Sequence, residues 1–236
     1  MVTIYYFPMQ GRAEVIKLLC AYAGEKFEAV VHSYEEQKSN LDAFPFGQAP
    51  RLVDGDVDLV QSNACVRHLA RKFRLYGASE AEMAKLVPQV AAGEGGGRGP
   101  DSPEQVDMIM DGVEDLRNKY TALIYAAEAK AAFWAKHCDK AAPLTQPNDG
   151  AHARYLARLL TKAGGEWFVG GGVTAADLAV YDVIHLLMRP ALFPEEFRAA
   201  YPKLADHHDR VEALKGVKEY LAGPDRQAKI NYNGLG

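Results

Sequence analysis

The sequence predicts an α/β domain followed by an all-α helical bundle, and three features carry that prediction. Short β-branched runs alternate with helical patterns over residues 1–76. A stretch rich in glycine and proline, 77–105, then interrupts any periodic pattern. From Val106 on, apolar residues recur every three or four positions, the spacing of amphipathic helices.

In order along the chain, residues 2–7 (VTIYYF) have strand composition, with Val2, Ile4 and Tyr6 on one face and Thr3, Tyr5 and Phe7 on the other. Pro8 and Gly11 break the strand. Ile16, Leu19, Cys20 and Ala23 then fall at helical spacing, and Gly24 is placed to stop the helix. Residues 27–32 (FEAVVH) form a second strand, and the β–α–β order favours two parallel strands joined by a right-handed crossover. A polar, irregular region follows. Asp54-Gly55 between two apolar runs within 51–60 predicts a hairpin. Val66, Leu69, Ala70 and Phe73 close the unit with a helix, so 1–76 reads βαβ–ββα.

Beyond the 77–105 segment, read as an exposed linker, a long helix is expected from Val106 to about His137. Further helices are expected over about 151–163, 174–188 and 207–222. With 106–236 all-helical, a bundle is the natural architecture. No internal repeat is evident.

Composition narrows the function. The chain has 236 residues with 27 basic and 31 acidic side chains, a formal net charge of −4, which offers no general attraction to nucleic acid or an anionic membrane. The N-terminus has neither the basic nor the apolar region of a secretory signal, and no apolar run reaches the ~18 residues of a spanning helix. Cys20, Cys65 and Cys138 have neither disulfide-framework nor metal-ligand spacing. A soluble, cytoplasmic protein without a metal is expected.

Few residues stand out as chemistry-bearing. Pro50 precedes strand 51–53, where it either terminates a loop or, as a cis bond, turns the preceding backbone groups outward to pair with an extended peptide. Gln61-Ser62 lies where a strand gives way to a helix. Ser62 suits an N-cap, and free N–H groups at a helix start also bind carboxylates. Tyr6 ends the first strand. It is either a half-buried strand residue or a phenol able to donate to a thiolate and lower its thiol's pKa. Arg12, at a helix start that disfavours cations, is either solvated or held by an anion. Asp107, Asp111 and Asp115 form an acidic stripe on the long helix, which as a pattern alone is a solvated face. No nucleophile elbow, P-loop, dinucleotide fingerprint or HExxH occurs.

Together these pieces resemble the cytosolic glutathione transferases, particularly the pi and sigma classes. YFPMQGRAEVIKLL resembles the family's first strand and helix, and FGQAPRLVDGDVDLVQSN its glutathione-binding strand and turn. DGVEDLRNKYTALIY is similar to the pi-class long helix, VTAADLAVYDVI to the capping-box helix of the second domain, and INYNGLG to the C-terminal segment. All five occur in order.

The resemblance implies a thioredoxin-like first domain, glutathione as co-substrate, and roles position by position. Tyr6 would be the catalytic tyrosine that stabilises the thiolate, with Arg12 facing ligand beside it. Gln48 and Ala49 would contact the tripeptide, with Pro50 cis. Gln61 and Ser62 would hold the γ-glutamyl carboxylate, and Asp115 of a neighbouring subunit would reach the γ-glutamyl amino group. Phe7, Met9, Thr121 and Tyr125 would line an apolar electrophile site, which Tyr232, in place of a glycine, would narrow. Phe46 matches the aromatic key such homodimers insert into their partner. The family's Trp and Lys for the glycyl carboxylate have no clear counterparts in SYEEQKSNLDAFPFG, where Lys38 is the basic residue available. The 78–105 segment is longer than the pi-class linker. The implied reaction is attack of the glutathione thiolate on small apolar electrophiles. The rivals are a sigma-type glutathione-dependent isomerase and a binding or structural protein with little turnover.

Overall fold

The computed structural model describes residues 1–77, 102–125, 129–142, 150–233 and 235. The chain forms two compact units, one built from Met1–Phe73 and Arg210–Gly234, the other from the described residues of Arg74–Asp209.

In the first unit, alternation in VTIYY makes β1 (Val2–Tyr6), whose Val2, Ile4 and Tyr6 are buried while Thr3 and Tyr5 are partly exposed. A single 3-10 turn, Gly11–Ala13, leads into α1 (Glu14–Ala23), which ends on Gly24 in the left-handed region at φ +69°. β2 (Phe27–Val31) runs parallel to β1. β3 (Arg51–Asp54) and β4 (Val57–Val60) form the Asp54-Gly55 hairpin, and β3 pairs antiparallel with β1. The sheet order is β2-β1-β3-β4, so β1 is central. The region expected to be irregular holds a short helix, α2 (Tyr34–Ser39), whose Ser33 cap accepts the Glu36 N–H at 3.0 Å. α3 (Ser62–Lys72) follows β4 and packs on α1.

The other unit is helical. α4 spans Pro103–Tyr125, so it starts within the stretch expected to be linker and ends well before His137. Residues 78–101 of that stretch, with 126–128 of the expected long helix, lie outside the described residues. α5 (Lys130–Phe133) continues into one π-helical turn, Trp134–Cys138, and α6 spans His152–Lys162. α7 (Ala175–Leu187) is apolar on nearly every side and buried accordingly. It packs along α4, where the buried Asp182 carboxylate is ion-paired with Arg117.

A capping box opens α7. The Asp177 carboxylate accepts the Thr174 N–H and hydroxyl, both at 2.8 Å, the Phe168 N–H at 2.9 Å, and lies 3.0 Å from His207 Nε2. A helix not expected from the sequence, α8, covers Pro194–Ala200. The single pattern expected over 207–222 is two helices, α9 (Pro202–Ala213) and α10 (Lys215–Ala222), with Leu214 between them.

α10 belongs to the first unit and lies against α1. A Cβ on Gly216 would meet the Ala21 carbonyl oxygen at 2.1 Å, so the absence of a side chain there lets the two backbones touch. Beneath α10, the buried Glu14 carboxylate accepts from Tyr220 Oη at 2.9 Å and Arg226 Nε at 3.0 Å. Burial of Lys17, one turn further along α1, holds its pKa below the ordinary lysine value, against the opposing charges of Glu14 and Asp225. No helix among the described residues is long and apolar enough to cross a membrane.

Candidate active site

Strand register gathers the chemistry-bearing residues of the first unit at one end of the sheet. Tyr6 is the last residue of β1, and Tyr5 pairs with Arg51, the first residue of β3. Arg51 pairs in turn with Val60, the last of β4, and Tyr6 pairs with Val31, the last of β2. The turn after Tyr6, the Gln48–Pro50 segment, the start of α3 and His32 therefore all lie at the same edge.

Tyr6 is 9% exposed, and its ring meets Phe7 edge to face at 5.6 Å. Its hydroxyl oxygen accepts the backbone N–H of Arg12 at 3.0 Å. A phenol that accepts in this way keeps its own proton to donate, and the N–H dipole favours the negative charge that builds on the oxygen as it donates. Gly11, at φ +46°, makes the approach possible, because a Cβ there would sit 2.5 Å from Tyr6 Oη. The sequence marks Gly11 as a strand breaker, but its second role depends on this three-dimensional approach.

Beside Tyr6, the Ala49–Pro50 bond is cis. Gln61 Nε2 donates to Gln48 Oε1 at 3.0 Å, which joins the two glutamines across the sheet end. The expected N-cap at Ser62 is not what forms. Gln61 is the cap residue, at φ 70°, with no side-chain cap bond, and Ser62 is the first helical residue and buried. The N–H groups of a first turn have no partners within their own helix and point out of its end, toward any anion placed there.

Lys38, at the end of α2, donates from Nζ to the Gly47 carbonyl at 2.7 Å and lies 5.2 Å from the Tyr34 ring centroid. Gln37 Nε2 donates to the same carbonyl at 2.7 Å. The ammonium is thus held one residue from Gln48. His32, 5% exposed, lies between the rings of Phe7 and Phe44 at 5.0 and 4.8 Å, a position its sequence context does not signal. Met9 is buried and Phe7 half-buried. Tyr232 is 57% exposed with Lys229 Nζ 5.6 Å from its ring, and Phe46 is 66% exposed.

The remaining predicted residues lie on α4 in the other unit. Asp115 is exposed, Tyr125 at the helix end is 64% exposed, and the Thr121 hydroxyl donates back to the Arg117 carbonyl at 2.9 Å. Asp107 of the same acidic stripe is not simply solvated, since it accepts from Tyr76 Oη.

All three cysteines are buried and free, and burial pushes each thiol up to about 12. None is a candidate nucleophile.

Comparison with known proteins gives the family. The family model "Glutathione S-transferase, N-terminal domain" matches residues 1–71, and "Glutathione S-transferase, C-terminal domain" matches 114–224. Glutathione S-transferase P of Bos taurus is 34% identical, with 98% of this chain and 97% of the relative covered, and the Homo sapiens protein of that name is 33% identical with the same coverage. The solved pi-class glutathione S-transferase of Onchocerca volvulus superposes with a TM-score of 0.69 at 28% identity, covering 93% of this chain and 91% of its own. A thioredoxin-like sheet domain, helices beyond it and relatives at this identity along nearly the whole length place the chain in the glutathione S-transferase family, near its pi class.

Proposed function

We propose that the protein conjugates glutathione to small apolar electrophiles, with Tyr6 holding the glutathione sulfur as a thiolate. The observation that carries this reading is the Tyr6 hydroxyl, oriented by the Arg12 N–H at the end of the central strand. A phenol O–H donated to sulfur stabilises the thiolate over the thiol, so the bound thiol ionises at lower pH than the free one. The thiolate then attacks the electrophile, forming the carbon–sulfur bond as a leaving group departs with the displaced electron pair or, in an addition, as the π electrons shift to the neighbouring atom, which takes up a proton. Proximity and thiolate activation supply the rate, with no step assigned to a metal.

The binding roles follow from the same edge. Gln48 and the Ala49 backbone, ahead of Pro50, pair with the cysteinyl part of the tripeptide. Gln61, Ser62 and the first turn of α3 receive the γ-glutamyl carboxylate. Lys38, held at Gly47, supplies the charge for the glycyl carboxylate in place of the family's usual tryptophan and lysine. Arg12 faces ligand beside Tyr6. Phe7, Met9, Thr121, Tyr125 and Tyr232 contact the electrophile.

The working form is a two-fold homodimer in the cytosol. In it Phe46, an exposed aromatic, inserts into the partner, and Asp115 of one subunit serves the γ-glutamyl amino group in the other's site. Sedimentation tests the assembly, with a dimer expected and a fully active monomer at assay concentration contradicting it. Turnover of glutathione with a panel of aryl and alkyl electrophiles tests the activity. Conjugation of at least one apolar member is expected, and binding of glutathione without conjugation of any would overturn the reading.

A further inference from the structure

We propose that Gln10 is a positioning residue for Tyr6, acting by clamping the turn after β1 to the C-terminal segment of the same unit; this rests on the proposed role of Tyr6. Locally, the turn that carries Gly11 and Arg12 holds the Met9 N–H bond to Phe7 O at 2.7 Å and the Arg12 N–H bond to Tyr6 Oη at 3.0 Å. Its glycine sits at φ +46°, a region open to several nearby conformations, and Gln10, though at the cap position of the 3-10 turn, makes no side-chain cap bond.

The turn is also held from residues more than two hundred positions away. The Gln10 N–H donates to Lys229 O at 2.8 Å, the Gly11 N–H to Ile230 O at 3.0 Å, and Gln10 Nε2 to Gln227 O at 2.7 Å. That segment is itself anchored, since Ile230 and Asn231 are buried and Arg226 is bonded to Glu14. Gln10 is 5% exposed, so the donor of the part-buried side-chain bond is itself buried. Everything this clamp fixes bears on the phenol. The backbone N–H of Arg12 is bonded to Tyr6 Oη, and the Gly11 backbone limits where Oη can sit. Loosening the clamp lets the Arg12 N–H drift from the phenol oxygen, and the phenol becomes a weaker donor to sulfur.

The test is a pH titration of the thiolate ultraviolet absorbance of glutathione bound to the full-length protein, alongside glutathione affinity and kcat. Gln10→Met keeps the volume and removes the donor, Gln10→Glu keeps the length and, when ionised, cannot donate, and Tyr6→Phe removes the phenol oxygen. Gln10→Met and Gln10→Glu are expected to raise the bound thiol's pKa by about half a unit to one unit, with kcat below that pKa falling about threefold to tenfold. Glutathione affinity should stay within about twofold. Combined with Tyr6→Phe, neither should add a further shift, because the effect passes through the phenol. A melting-temperature loss with the thiol pKa unchanged, or an equal shift in the Tyr6→Phe background, overturns the positioning role and leaves the Tyr6 reading standing. No pKa change in Tyr6→Phe itself overturns both.

Discussion

The Tyr6 hydroxyl oxygen lies 2.5 Å from the point where a β-carbon on Gly11 would stand, so the space above Gly11 belongs to the phenol. Gly11→Ala forces the phenol or the turn to move and also places alanine at φ +46°, which a side chain resists. The variant is expected to lose about 1 kcal/mol or more of stability and to lose turnover disproportionately, while retaining glutathione binding through the other end of the tripeptide. Denaturant unfolding and steady-state kinetics on one preparation check both. Full activity would show that the phenol does not need its present position.

Gly216 faces a backbone rather than a side chain, and the Ala21 carbonyl cannot swing aside. Gly216→Ala must separate α10 from α1, and about 1–3 kcal/mol of destabilisation is expected, typical of overpacking. Because Tyr220 and Arg226 lie on or beyond α10 and bond to Glu14, faster hydrogen exchange along α10 and the C-terminal segment should accompany the loss. An unchanged melting temperature would contradict the close helix contact.

The thiols give a prediction with a definite sign. Burial holds Cys20, Cys65 and Cys138 at about 12, whereas an unfolded thiol ionises near ~8.5. Above ~8.5 the unfolded chain sheds protons that the folded chain retains, so these groups make stability fall as pH rises from there toward 12. Native protein at pH 8 should leave an aromatic disulfide reagent almost unreacted, and unfolding should expose three thiols. Rapid labelling of any cysteine in the native state would mean that it is neither buried nor suppressed.

Much of the sheet end was legible because strands and hairpins announce themselves locally. Alternation in VTIYY, Asp54-Gly55 and the apolar runs around it place Tyr6, Pro50 and Gln61 without reference to distant residues. Helix limits were less legible. Periodicity records which residues face a core, not where hydrogen bonding stops, so the expected helix over 106–137 overran α4, and one pattern concealed both α9 and α10. Ser62 has the better cap propensity, yet Gln61 takes the position because β4 ends there and the chain turns at φ 70°. The support behind Tyr6 was hidden for a different reason. Gln10 and Gln227 are 217 residues apart, and no local pattern records such a pairing.

Titration of the glutathione thiol bound to wild-type protein and to Tyr6→Phe is the most direct measurement of the central claim. The substitution removes one oxygen and leaves the ring in place, so the fold and glutathione affinity should largely survive. The bound thiol's pKa should rise toward its value in free glutathione, and turnover near neutral pH should fall by roughly one to two orders of magnitude. A thiol that ionises at the same pH in both proteins, with equal turnover, would contradict Tyr6 as the group that holds the thiolate.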